Sequence, residues 1–474
     1  MPRPEHVRAA ARCLSAVVLT LATGAFFSSP QQSRTLERHY QVKPSQRIEL
    51  RGISGSEIEF KSWDKEEVSI KLDVRISSSD NEYEKEYIDA LDIVESHDDG
   101  NVTIEFKELR RGISGSGFWS IFKGGSFLKK EIRGQVYVPR SNALTTDFSY
   151  GAVTLEDMKG RVDIYGKSNK VSLKNCESVH TIENDYGTTE IENSNGDLKL
   201  SGTSSSVTVT TFKGSLSVEA NYSTIRLKDI GKSSNVQTKS GKVTAENIGG
   251  DLVLRADYSQ INVLHVAGLF DVESKSGSIR AQDVKGLVVD APYSSVEVTG
   301  ISGIPGKQVT VTTQSSPVAL EDVVSNVEVN APYSTISLRR IRGSANVSSK
   351  SGRVDADGVS GDWISRTEYS SVVLRNLQSK SVMITNKSAG VELSLSVVPN
   401  SVTIRNEYGS VAASVPKGFS GEITLDAEYG SVETDFPIRI KNQSSSGYGI
   451  GKVGTGNGSI SIETKSGNIE LTQR

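Results

Sequence analysis

The feature that most constrains this chain is an 18-residue repeat whose unit reads most cleanly from Gly250 to Gly286, as GDLVLRADYSQINVLHVAG followed by LFDVESKSGSIRAQDVKG. In the first half Leu252, Leu254, Ala256 and Tyr258 alternate with Asp251, Val253, Arg255 and Asp257. Ser259 then turns the chain into a strand carrying Ile261 and Val263. Alternation with a period of two is the signature of strands with one buried face. The pattern returns as Phe270, Val272, Ser274 and Ser276, turns at Gly277 and resumes with Ile279 and Ala281. One place distinguishes the two halves, where Tyr-Ser alternates with Ser-Gly. That mark recurs every 18 residues at Tyr150, Ser168, Tyr186, Ser204, Tyr222, Ser240, Tyr258 and Ser276. It continues at Tyr293, Ser315, Tyr333, Ser351, Tyr369, Ser388, Tyr408, Tyr429 and Ser466 with irregular spacing. Helical repeats do not carry so many β-branched residues with this inner period.

A unit of two short strands and two corners is one circuit of a β-solenoid, in which each strand pairs with its counterpart one turn away. The fold class expected is therefore all-β, a single-stranded β-solenoid (β-helix) of about 18-residue rungs. At the ~4.8 Å spacing of paired strands the marks imply a rod on the order of 80 Å long. The Tyr/Ser alternation is read as packing, because a ring on every rung would be crowded while every second rung doubles the room. The corner after the second strand carries Asp157, Asn175, Asn193, Asp229, Asn247, Asp283, Asp322 and Asn376 at equivalent positions, with Gly160, Gly196, Gly250 and Gly286 three residues after four of them. Asx residues tolerate turn dihedrals and, stacked, can bond along the rod. A calcium role would need turns of the form G-G-x-G-x-D, which do not occur.

Upstream of the repeats, Arg3, Arg8 and Arg12 precede an apolar run from Leu14 to Phe27, with Ala22 to Ala25 offering a cleavage site. This predicts a signal peptide over 1–25, with an uncleaved anchor as the competing reading. Export to the periplasm, cell surface or extracellular space follows. Removing Arg3, Arg8, Arg12 and Glu5 takes the formal charge from −3 to −5, which does not favour nucleic acid. Cys176 then has no partner for a disulfide and falls in an inward column with Met158, Phe212 and Ile230, so a buried, inert thiol is expected.

Residues 26–139 lack the clean period and read as a small β-rich capping unit. Ser79-Asp80-Asn81-Glu82 resembles a helix capping box, and Tyr83, Tyr87, Leu91 and Val94 sit at helical spacing, so the unit contains a short helix. Such a unit would cover the rod's open edge. Its Gly-rich loop 112–130 carries Phe118, Trp119, Ile121, Phe122, Phe127 and Leu128; apolar residues are usually buried, so these are expected to fold into the unit's core, and the loop is otherwise the chain's best interaction candidate, for a membrane or a partner. The repeats fill 140–474. A flexible loop, 439–458, is expected to act as a flap over the last edge, and SISIETKSGNIEL (Ser459 to Leu471) supplies a final rung.

Catalytic and cofactor signals are missing. His6, His39, His97, His180 and His265 have no metal-ligand spacing, and there is no H-E-x-x-H, G-x-S-x-G or phosphate loop. No catalytic residue, metal or cofactor is assigned. Outward acids such as Asp251, Asp257 and Glu273 read as a solvated surface, and the low aromatic content, 6%, argues against a long sugar-stacking groove.

The strand before Trp63-Asp64 and the Val68 strand after it, the Val138-Pro139-Arg140 lead-in, the recurrent Gly-x-Val and Ser-x-Ile turns and the closing KSGNIEL rung resemble the bacterial "putative adhesin" family, a domain of unknown function built of β-strand repeats. The resemblance covers most of the chain beyond the signal segment and implies a surface or envelope location with an adhesive or scaffolding role. It carries no functional residue set. The function expected is a non-catalytic, exported adhesin-like or envelope-scaffolding rod whose partner is an envelope or surface component, a polysaccharide or a protein. The alternatives are a carbohydrate-binding or carbohydrate-cleaving β-helix and a membrane-anchored signalling partner.

Overall fold

A computed structural model describes residues 32–54, 57–78, 81–98, 100–108 and 129–474. The chain is a β-solenoid with rungs of about 18 residues, and the described residues form 39 strands and one helix. Each rung contributes one strand to each of two parallel stacks, and the register is that of the repeat. Leu252 pairs with Phe270 and Leu254 with Val272 in one stack. In the other, Ile261 pairs with Ile279 and Val263 with Ala281. Like inward residues therefore sit on like, giving one core of Val, Ile and Leu columns, with Trp363, Phe212 and Phe270 its largest fully buried rings beyond the N-terminal unit. Such continuous columns leave each rung dependent on its neighbours.

Of the two corners in each rung, the Asx corner behaves as its chemistry predicts. Asp157, Asn175, Asn193, Asp229, Asn247, Asp283, Asp322 and Asn376 all have φ between 47° and 58°, the left-handed region that short polar side chains tolerate best. Asn175 donates to Asp157 at 2.9 Å, Asn193 to Asn175 at 2.7 Å and Asn247 to Asp229 at 2.6 Å, a side-chain ladder along the rod. Beside it Cys176 is buried, and desolvation pushes its thiol up to about 11.

The N-terminal region is built from β1 (Gln32–Gln41), β2 (Arg47–Ser54), β3 (Glu57–Trp63), β4 (Glu67–Ser77), α1 (Asn81–Ala90), β5 (Asp92–His97), β6 (Asn101–Lys107) and β7 (Lys129–Pro139), ahead of the first regular rung, β8 (Ala143–Ser149) and β9 (Ala152–Glu156). The parallel stacking extends backwards from β8 and β9. Ile48 of β2 lies between Leu144 and Val102, and Phe60 of β3 between Val153 and Val136. Thus β2–β3 and β6–β7 are two further rungs, stacked as neighbours although β4, α1 and β5 separate them in sequence. Arg47 reaches across this junction to Thr145 at 2.7 Å and to the buried Asp163 carboxylate at 3.4 Å, which Arg161 also holds. Beyond these rungs the pairing turns antiparallel, β4 on β7, β1 on β4 and β5 on β6, which ends the stack.

The expected helix is present, with Tyr87 and Ile88 buried and the Ile88 and Leu91 carbonyls capped by Arg34 at 2.9 Å. Val94 belongs to β5, not to the helix; Asp92 accepts the Ile93 amide and the chain switches to period two. Ser79 and Asp80, half of the expected capping box, lie outside the described residues.

At the C-terminus the order in space departs from the order in sequence. Strand Gly458–Ser466 pairs on one side with Ser401–Tyr408 and on the other with Gly421–Tyr429, so that Ile462 sits between Ile404 and Leu425. Ile469–Gln473 is likewise inserted between Val411–Val415 and Val432–Thr434. The rung that comes last in the chain is therefore interior. Much of the segment expected to be a flexible loop is a hairpin, Arg439–Asn442 with Gly447–Val453, laid antiparallel on Gly421–Tyr429. It covers that strand, as a flap would, but through ladder hydrogen bonds. Its own edge carries Arg439 and Lys441, charges that discourage further pairing.

Candidate interaction surface

The Tyr/Ser mark lies at the other corner, and there the packing expectation fails. Nine tyrosines, Tyr150, Tyr186, Tyr222, Tyr258, Tyr293, Tyr333, Tyr369, Tyr408 and Tyr429, are 47–63% exposed. The inward residue is the one that follows: Ser205, Ser223, Ser259, Ser294, Ser334 and Ser370 are buried. The reason is the turn itself. Asp257 points out at the end of its strand, Tyr258 occupies the corner in the left-handed region (φ 53°), and the next inward position faces the backbone of the rung beneath. A Cβ on Gly187 would meet the Asn169 carbonyl oxygen at 2.4 Å, and one on Gly241 the Ser223 oxygen at 2.0 Å. The residue after the mark is Ser, Asn or Gly throughout, with Ala389 the one exception, and the ring before it is left in solvent.

Small polar side chains lock this corner from within. Ser205 Oγ donates to the Asn184 carbonyl at 2.8 Å, Ser223 Oγ to the Asn221 carbonyl at 2.8 Å, and Asn184 donates to the Asn169 carbonyl at 3.0 Å. Tyr150, Tyr186, Tyr222 and Tyr258 are all held at positive φ, 53–69°. For a bulky residue that conformation costs about 1–2 kcal/mol, and the serines Ser168 and Ser204 adopt it at the same corner.

The alternation is stricter in space than in sequence. Along the chain Tyr408 is followed by Tyr429 and then Ser466. In the stack Ser466 pairs with Tyr408 on one side and Tyr429 on the other. The inserted C-terminal rung thus restores one tyrosine to every second rung, a ring spacing of about 9.6 Å at the strand spacing of paired β-strands.

Charge alternates beside the rings. The residue before the tyrosine is acidic at Asp185, Asp257, Glu368, Glu407 and Glu428, and the residue before the intervening serine is lysine at Lys167, Lys239, Lys275, Lys350, Lys387 and Lys465. Lys275 pairs with Asp257 at 2.8 Å, a hydrogen bond that raises the lysine pKa. Lys387 lies 5.9 Å from the centre of the Tyr369 ring. Both halves of this pattern can be read in the amino-acid sequence; the outward direction of the rings cannot.

The ladder's foot opens into a hollow of about 760 Å³ where Tyr150, Ser168 and Lys170 face Glu57, Glu59, Lys71, Asp73 and Gln135 of the N-terminal rungs. A second open groove, of about 710 Å³, is lined by Glu49, Asp147, Glu183, Asp185 and Glu219 with Ser201 and Gly202 between them. Among the described residues no group of three or more His, Cys, Asp or Glu is placed to hold a metal. The candidate loop residues Phe118, Trp119, Ile121, Phe122, Phe127 and Leu128 lie outside the described residues.

The repeat, its parallel register and the closing rung point to one kind of protein. Residues 251–472 match the family Toastrack DUF4097. The Toastrack segment begins in mid-solenoid, at Asp251, and the rungs before it continue the same stacks with the same 18-residue register. This match agrees with the resemblance to adhesin-type repeat proteins read from the sequence. Among solved structures, the chain is similar to the crystal structure of a "putative cell adhesion protein" from Clostridium sporogenes ATCC 15579, at 10% identity over 94% of this chain and 100% of that one, with a TM-score of 0.15. No curated protein matches the chain. The chain is a β-solenoid whose residues 251–472 are similar to the Toastrack family.

Proposed function

We propose that this solenoid is an exported, non-catalytic rod that adheres to or scaffolds the cell envelope, engaging its partner along a repeated surface. The observation that carries this reading is the ladder of nine exposed tyrosines held in register along the rod. Monomeric proteins seldom expose large aromatic side chains in a continuous row, and surfaces that do are sites of interaction. Repetition spreads a partner over many weak, equivalent contacts, and avidity then replaces a single deep pocket. Export is supported by Arg3, Arg8 and Arg12 ahead of the apolar run from Leu14 to Phe27. Among the described residues no helix is long and apolar enough to cross a membrane.

The test is binding of the purified mature protein to intact bacterial envelopes and to a polysaccharide panel, with each sugar assayed for cleavage. Binding without turnover is expected. Turnover of any sugar would overturn the non-catalytic reading and direct attention to the carboxylate-lined groove around Glu183 and Glu219. A mature N-terminus near residue 26 in exported material is expected as well; retention of the apolar segment would instead make the rod membrane-anchored.

A further inference from the structure

The low aromatic content argues against sugar stacking, but nine of the 15 tyrosines are gathered in one exposed row. Resting on the adhesive reading, we propose that the tyrosine ladder is a stacking platform for an extended, neutral β-1,4-linked glycan laid along the rod axis, with one tyrosine beneath every second sugar. The argument begins from period. In such a glycan each sugar is turned half-way round relative to the last, so the same ring face recurs at every second unit, and one extended pyranose advances by close to one strand spacing. Rings on every rung would meet alternating faces, whereas rings on every second rung, about 9.6 Å apart, meet the same face each time. The structure keeps this period even where the chain order breaks it, by placing Ser466 between Tyr408 and Tyr429.

Chemistry supports the same occupant. A tyrosine ring offers an apolar face to the C–H side of a pyranose and a hydroxyl at its rim. All-equatorial hydroxyls of a β-1,4-glycan project sideways, towards the flanking column. There Asp257 and Glu368 can accept from hydroxyls, and Lys275 and Lys387 can donate. The column holds five acids and six lysines, with uncharged Ser149, Thr203, Asn221, Pro292, Gln314 and Pro332 between them, so it has little net field to draw a polyanion or a polycation. The corners are held in place by buried Ser and Asn hydrogen bonds, so little ordering is left to be done on binding.

The full-length mature protein would be titrated calorimetrically with cello- and chito-oligosaccharides of increasing length, with α-1,6-linked dextran fragments as the comparator. Two tyrosines are spanned first by three sugars, three by five and four by seven. Affinity is therefore expected to rise in steps at those lengths, by about two- to tenfold per added ring, to change little with salt, and to be absent for dextran. In a Tyr222→Ala/Tyr369→Ala variant, which leaves no run of four consecutive ladder rings, the affinity for the heptasaccharide is expected to fall to about that for the pentasaccharide, while Val324→Ala, an exposed apolar residue beside the Asx corner, leaves it unaltered. All these side chains are in solvent, and unchanged circular dichroism would show that the variants fold.

Equal binding of dextran, a smooth length dependence, or an unaltered affinity in the double variant would each overturn the inference. So would ladder-dependent self-association without glycan binding, which would make a second copy the occupant. Envelope binding that survives in the double variant without any oligosaccharide affinity would sink the glycan assignment alone and leave the adhesive role standing. Loss of envelope binding by the wild-type rod would remove both.

Discussion

Substituting Ile462→Ala tests the insertion of the last rung directly. Ile462 is fully buried and in register with Ile404 on one side and Leu425 on the other. Truncation removes three buried carbons, a transfer loss of roughly 2.4 kcal/mol at about 0.8 kcal/mol each, and the residual cavity brings the cost to about 2–5 kcal/mol. In a solenoid this loss is felt by nearest neighbours. Hydrogen exchange read by mass spectrometry is the appropriate assay, because each 1.4 kcal/mol off a local opening free energy is a factor of ten in protection. The amides of both Ser401–Tyr408 and Gly421–Tyr429 are expected to lose protection, by roughly thirtyfold to a few thousandfold. Ile279→Ala provides the calibration, since its neighbours Ile261 and Val296 follow the order of the chain. If exchange rose in Gly421–Tyr429 while Ser401–Tyr408 stayed as protected as before, the last rung would be stacked on the outside and the inserted arrangement would be refuted.

Three further outcomes are expected. Asn193→Ala places an L residue with no polar side chain at φ 47° and deletes the bond to Asn175; it should cost about 1–2 kcal/mol in denaturant titration, more than Asn193→Gly, and equal costs would discount the left-handed corner. Cys176, its thiol pushed by burial from 9.0 to about 11, should resist alkylation at neutral pH until the protein is unfolded. Because the folded value is the higher one, the associated stability is intact below pH 9.0 and lost as pH rises through about 11, a loss that Cys176→Ala should abolish. Asp355 is raised by burial but held lower overall by hydrogen bonds from Arg353 and Arg375. With the folded value depressed, its stabilisation exists above 3.8 and fades as pH falls through that lower value. The difference from Asp355→Asn, no more than about 1 kcal/mol for so exposed a network, should therefore be present at neutral pH and vanish in acid; a gap that widened on acidification would contradict it.

The rungs were legible because a solenoid writes its tertiary contacts into local repetition. Leu252 and Leu254 meet Phe270 and Val272 because they occupy the same place in consecutive units, so the period of the sequence is the register of the stack. The Asx column was legible for a similar reason: one residue type suits both a left-handed dihedral and a bond to its own copy on the next rung. The extra rungs at the N-terminus were not, since β4, α1 and β5 separate strands that stack as neighbours, and no repeat spans the gap.

The tyrosines show the other boundary. Their spacing, their alternation with serine and the acid or lysine beside them are all properties of the linear chain. Period-two alternation determines direction only along a strand, and at a corner two successive residues can both face outward. Whether a ring there is core or surface was decided by the backbone of the rung beneath, which leaves room inside for nothing larger than Ser or Asn. The position of the last rung was likewise beyond the sequence, because Gly458–Ser466 is compatible with either neighbour and only the covering hairpin and the shared core of Ile404, Ile462 and Leu425 select the interior slot. By itself, then, the amino-acid sequence determined the all-β solenoid, its rung and its inward columns, because those follow from short-range periodicity. The outward face of the tyrosine ladder and its unbroken spacing were decided by the tertiary structure, because they depend on steric exclusion and strand order between segments that the chain does not place side by side.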